Sequence, residues 1–180
     1  MSTTPPGGPS HAEKLAWFQN DFRPHFDVWV IERINRLVPA QDPPIGFIFT
    51  TCAIDYLAGF WRGKSTKGHV EHAYTGFINE YFPKGQYDAK GLYDSLRNGL
   101  VHMFTIQNKK YGLTHNNPGF HLITDQNGHI ILNAEDFRDD LVAAKERYFD
   151  DVENKPVLLD KAWERYKRDG FLDAVPSYIP

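Results

Sequence analysis

A mainly helical bundle is predicted for this chain by three observations. Apolar residues recur at three- and four-residue spacing through most of its length. The breaks between those stretches are rich in proline and glycine, and short alternating runs of the strand kind occur in one place only. With 41% hydrophobic and 14% aromatic residues among 180, one substantial core is within reach. The expected organisation is a disordered tail over residues 1–11 and a single helical domain over residues 12–180.

The opening MSTTPPGGPS has neither the charged start nor the apolar centre of a signal peptide, hence the expectation of a tail. Leu15, Phe18, Phe22, Phe26, Trp29, Val30, Ile34 and Leu37 then fall at helical spacing, predicting one or two helices over 12–37 with Pro24 as break or restart. Pro39, Pro43 and Pro44 make a stiff connection. The run IGFIFTTCAIDYLAGFW, residues 45–61, is apolar nearly all round yet short for a bilayer, and is expected to be the central buried helix. Asp55 lies within it. A carboxylate there must be paired, hydrogen-bonded or neutral, either as a structural partner of an arginine or helix end, or as a group that positions Arg97 or His102.

The loop RGKSTKG, residues 62–68, contains Gly-Lys-Ser, but a phosphate-binding loop would need glycine where Ala58 stands and a strand where a helix is predicted. A flexible basic loop, able to meet a phosphate backbone electrostatically, is the remaining reading. A third helix is expected over 69–82 with Val70, Ala73, Tyr74, Phe77, Ile78 and Tyr81 inward. His69 and His72, with Glu71 or Glu80, lack a third ligand at suitable spacing and are read as surface, so neither a metal nor a cofactor is expected. Asp88 is a plausible N-cap for a helix reaching about Asn108. Phe120 to Thr124 and His129 to Leu132 flank Asp125-Gln126-Asn127-Gly128, predicting an inserted β-hairpin at about residues 119–133. His115, His121 and His129 fall in or near it and are assigned to surface or strand-face positions. Asn133 opens a further helix to about Val152, and Pro156 another to about Gly170; the tail 171–180 is apolar enough to dock.

The net charge of −3 provides no global attraction for nucleic acid or an anionic membrane, so any RNA contact must be local and no membrane partner is expected. One cysteine, Cys52, excludes an internal disulfide and a cysteine-based zinc site, and fits a cytoplasmic setting.

The residues with the most chemistry are in LYDSLRNGLVHMF, residues 92–104. At 100° per residue, Leu92, Leu96, Gly99, Leu100 and Met103 form an apolar stripe, with Asp94, Asn98, Val101 and Thr105 opposite and Arg97 and His102 flanking. In an ideal helix Arg97 and His102 are about 140° apart and bracket a shallow surface rather than touch. Asn98 and His102, four apart, are expected to stack, and Gly99 to admit a close backbone or ligand.

The segment Arg97-Asn98-Gly99-Leu100-Val101-His102 resembles the Arg-x4-6-His motif of the HEPN superfamily, including the frequent polar residue after the arginine. That resemblance implies a HEPN-like helical bundle, here with the inserted β-hairpin and additional C-terminal helices, and a homodimer with its motif helices face to face. In many members such a dimer forms a metal-independent endoribonuclease site, in settings such as toxins and phage defence. His102 would then be the acid/base, Arg97 the phosphate stabiliser and Asn98 the orienting group, with Asp55 and Asp94 supporting. The alternative is a non-catalytic dimeric module binding a nucleotide, RNA or protein, with Arg97 paired to Asp94 or Asp55. Toxins of this kind regulated by nucleotidyltransferases often have a tyrosine two residues after the histidine; Phe104 stands there and argues against that regulation. A metal-dependent hydrolase built on His69 and His72 is the most distant reading.

Overall fold

The computed structural model describes residues 8–39, 43–64, 67–103, 105–106, 110–117 and 119–170. The first seven positions of the predicted tail, the docking tail 171–180, part of the basic loop and Phe104 lie outside the described residues. Among the described residues six helices and two short strands follow in order: α1 over residues 11–37, α2 Pro43–Arg62, α3 Val70–Tyr81, α4 over residues 89–103, β1 Tyr111–Thr114, β2 Ile130–Asn133, α5 Ala134–Asn154 and α6 Pro156–Asp169.

Helix α1 opens on a capping box: the Ser10 hydroxyl accepts from the Glu13 amide while the Glu13 carboxylate accepts from the Ser10 amide. It does not break at Pro24. Two turns, Phe18–Phe22 and Asp27–Ile31, are bonded i→i+5, and the wider turn ahead of Pro24 takes up the ring and the missing donor that would kink an α-helix.

Helix α2 is the centre of the bundle, packed against α1, α3, α4, α5 and α6. By length and composition its stretch Pro44–Arg62 could cross a membrane, but 56% of that window is buried inside the fold, as in a core helix. One apolar cluster runs through all six helices and holds Phe18, Phe22, Phe60, Phe77, Phe137 and Phe149 wholly out of water. Gly76 is required where α3 meets α2, since a Cβ there would stand 2.8 Å from the Trp61 ring. The inward residues expected of α3 are buried or, for Val70, half-buried. On α5 the buried Lys145 ammonium is compensated by Asp27 of α1 at 2.5 Å and by Glu146 at 2.7 Å.

The predicted hairpin is present as a short antiparallel arm, and a second pairing that was not expected is added to it. β1 and β2 form a parallel pair, Tyr111 opposite Ile130 through Thr114 opposite Asn133, while in the antiparallel arm the Leu122 amide donates to the Ile131 carbonyl at 2.7 Å, the Ile131 amide to the Ile123 carbonyl at 2.8 Å and the Asp125 amide to the His129 carbonyl at 2.9 Å. The run His129 to Leu132 was expected to pair with Phe120 to Thr124 alone; it keeps that neighbour and also pairs, on its other edge, with a strand on the far side of a long crossover. The turn itself is as expected, with Gly128 at φ 84°. Asp125 accepts from the backbone amides of Asn127 and His129 and faces His129 Nδ1 at 3.0 Å.

The His129 amide, the His129 ring and the Asn127 amide draw the Asp125 carboxyl from 3.8 down to about 2. A depressed acid stabilises above its unfolded value and ceases to as pH falls through the folded one. The turn is therefore expected to hold down to about pH 4 and loosen towards pH 2. NMR titration of the Gly128 and His129 amides should show a midpoint near 2; a midpoint at the ordinary value would mean that the carboxylate is not engaged.

Candidate functional site

Helix α4 starts where expected, with Asp88 Oδ1 accepting from the Gly91 amide at 2.9 Å. Its described part ends at Met103, short of the expected Asn108, of which the neighbourhood 107–109 lies outside the described residues. Its middle, Tyr93–Leu100, is bonded i→i+5 rather than i→i+4. This changes the site. An i→i+5 turn brings residues five apart to nearly the same side, so Arg97 and His102 touch: Arg97 Nη1 lies 2.6 Å from His102 Nε2. The expectation that they bracket a surface without contact is thereby corrected. The same re-phasing takes Met103 out of the apolar stripe, leaving it 56% exposed, while Leu92, Leu96, Gly99 and Leu100 stay buried.

The guanidinium is anchored from below. Asp55 Oδ2 on α2 accepts from Arg97 Nη2 at 3.0 Å and from Nε at 3.3 Å, with the arginine side chain 20% and the carboxylate 28% exposed. Nη1 also donates to Asn98 Oδ1 at 3.3 Å. The expected Asn98–His102 stack is replaced, because the amide turns to the cation beside it. Asp94 does not take Arg97 either; it accepts from Lys90 at 2.7 and 2.9 Å, and Lys90 reaches Glu71 of α3 at 3.3 Å. The Asp94 bond is the main cause that raises the Lys90 pKa. Lys90, held by Asp94, thus links α4 to α3 away from the cluster.

A guanidinium can only donate, so His102 Nε2 accepts and the ring proton sits on Nδ1. The result is an ordered chain from carboxylate to cation to neutral imidazole, with the exposed His102 at its outer end. Cys52, one turn before Asp55, is at its edge. Desolvation and the Asp55 carboxylate raise that thiol's pKa against the opposing effect of Arg97, which keeps it protonated and a poor nucleophile.

Two features were not read from the sequence. A cavity of about 200 Å³ opens between α1 and α2, lined by Phe22, Phe26, Trp29, Phe49, Cys52 and Tyr56, among others. The spacing of 22, 26 and 29 is that of core residues and contains no sign of a void. His121, assigned to a surface or strand face, is only 12% exposed. Its Nδ1 accepts from the Asn133 amide at 3.1 Å, which leaves Nε2–H to donate to Tyr87 Oη at 2.8 Å, and Tyr87 donates to Asp140 at 2.6 Å. This latch ties the β insertion to α5; burial and Asp140 raise the Tyr87 pKa far above its ordinary value. His115 is half-buried beside Asn116, and His69 and His72 are exposed on the rim of a separate hollow. Among the described residues no three His, Cys, Asp or Glu side chains are grouped to hold a metal ion.

No family model matches the chain, and neither a curated protein nor a solved structure matches it.

Proposed function

We propose that the Asp55–Arg97–His102 cluster is the site of a metal-independent endoribonuclease of HEPN type, acting as a dimer. The observation that carries this reading is the contact of Arg97 with His102 at 2.6 Å on an open face, with the arginine held from below. RNA cleavage needs a base, an acid and a cation at the phosphorus. When the RNA phosphate takes Arg97 Nη1 from His102, Nε2 is freed to accept the proton of the 2′-hydroxyl as that oxygen attacks phosphorus. Arg97 stabilises the charge on the equatorial oxygens. The bond from phosphorus to the 5′-oxygen breaks, and the leaving oxygen takes a proton from the second copy of His102 in the dimer, which enters the step as the imidazolium and leaves it neutral. The products are a 2′,3′-cyclic phosphate and a 5′-hydroxyl. Asn98 and Asp55 position Arg97, and the exposed Met103 beside His102 supports an apolar contact between motif helices.

A second reading, a non-catalytic dimeric module that binds a nucleotide, RNA or protein, is favoured by one observation. Nε and Nη2 of Arg97 are both spent on Asp55, as in a structural ion pair.

Incubation of a mixed RNA pool in EDTA separates the two. Wild-type protein is expected to yield 2′,3′-cyclic phosphate ends, and His102→Ala, with an unchanged circular dichroism spectrum, to lose about two to four orders of magnitude in rate. Equal cleavage by both proteins removes His102 from the mechanism, and RNA binding without cleavage favours the module.

A further inference from the structure

The end of α2, the turn after it and α6 enclose a hollow of about 580 Å³ whose walls include Arg62, Gly63, Lys64, Lys161 and Arg168. It is a built feature. Gly63 has φ 72°, and a Cβ there would lie 2.6 Å from Lys161 Cβ and 2.7 Å from its Cα, so glycine alone lets the turn lie against α6. Arg165 Nη1 donates to the Lys64 carbonyl at 3.3 Å and pins that turn.

Asp160 and Glu164 also line it, so its positive charge is partly compensated, though both carboxylates are drawn to lysines outside it. Asp160 is engaged by Lys14 at 2.6 Å and Glu164 by Lys167 at 2.6 Å, while Asp169 is shared by Arg165 at 2.7 Å and Arg168 at 3.2 Å. Among the described residues Arg62, Lys64 and Lys161 have no carboxylate partner, Lys161 resting instead over the Trp61 ring at 5.9 Å. Arg62 Nε is shut off from solvent and has no acceptor.

Position along α2 joins this hollow to the cluster. Arg62 follows Asp55 by seven residues, nearly two turns, so it lies on the same side of α2 about 10 Å further on. Between them Gly59 is covered by the Arg165 guanidinium, 3.3 Å from where a Cβ would be. Arg97, Arg165 and Arg62 therefore follow one another along a single side of the helix.

We propose that this hollow holds the phosphodiester backbone of the RNA strand whose scissile bond lies at Arg97 and His102, an assignment that rests on the ribonuclease reading above. The test is binding of a short, uncleavable 2′-O-methyl RNA, followed by fluorescence anisotropy across a salt series. Arg62→Gln/Lys161→Gln/Arg168→Gln is compared with wild type and with Arg36→Gln/Lys84→Gln/Lys155→Gln, which loses the same charge elsewhere. Each fold is checked by circular dichroism and thermal melting, and single Lys161→Gln serves if the triple is unfolded. The hollow triple is expected to weaken binding by about tenfold or more and to flatten the salt slope by about two, and the single variant by about 0.7. The control triple should bind like wild type. Equal weakening by both triples, weakening by neither, or no binding by wild type at low salt overturns the proposal. Loss of binding in the hollow variant with no RNA cleavage by wild type would sink the ribonuclease reading and leave the hollow as an RNA site. Cleavage by wild type with undiminished binding by the hollow variant would do the reverse.

Discussion

Alanine at Arg97 is expected to lower RNA cleavage by about two to three orders of magnitude, the usual cost of removing one donor to the charge that develops in a transition state. It should also destabilise the fold. Asp55 loses both of its hydrogen bonds from Arg97, at 3.0 and 3.3 Å, and is left half-buried on the central helix without its cation. An acceptor left unpaired in such a position costs about 1–3 kcal/mol. Arg97→Ala/Asp55→Ala removes both charges and should recover most of that stability while remaining inactive, because the two losses have different origins. Arg97→Lys keeps the charge but cannot reproduce the fork that meets Asp55, Asn98 and His102 together, so it should retain a small part of the activity at most. Thermal melting and cleavage rates on the same samples check the set. An Arg97→Ala protein that cleaves like wild type would remove the arginine from the chemistry; an Arg97→Ala protein as stable as wild type would mean that Asp55 has another partner.

Phe22→Ala should be the most damaging single change to the fold, at about 3–5 kcal/mol. Its ring is wholly buried and meets Phe60 at 4.6 Å, Phe18 at 5.3 Å and Phe149 at 5.8 Å, joining α1, α2 and α5. It also lines the cavity between α1 and α2, so truncation enlarges a void already there instead of opening one that neighbours could close. Set against a typical stability of about 5–15 kcal/mol, a loss of this size leaves a marginal protein. Urea unfolding should show the lower midpoint. A loss under about 1 kcal/mol would mean that the three helices are not joined through this ring.

The Asp55–Arg97 pair shows how far residue chemistry reaches. A carboxylate within an apolar helix demands a partner, so Asp55 could be singled out and a neighbouring arginine expected, and Arg97 is that partner. Asp88 as the start of the motif helix follows from the short side chain that can bond its own helix amides, a local property. The inward face of α3 and the opening of α6 at Pro156 are local in the same sense. The contact between Arg97 and His102 is of another kind. Their spacing is the same in an α-turn and in a wider turn, and only the bonding of Tyr93–Leu100 decides whether they stand apart or touch.

What the sequence by itself determined is which stretches are helices and most of the residues they bury, since both depend on periodicity averaged over several turns. It also determined that Asp55 must be compensated and that chain reversal occurs at Asp125–Gly128. Tertiary structure alone decided the wider turns in α1 and α4, the parallel pairing of Tyr111–Thr114 with Ile130–Asn133 across a crossover, and the meeting of Arg62 and Lys64 with Lys161 and Arg168. Charge counted along the chain places the last two cations in an acidic region. Packing of α6 against the turn at Gly63 sets them instead in a positive hollow, because electrostatic neighbours are chosen by distance in space and not by position in the chain.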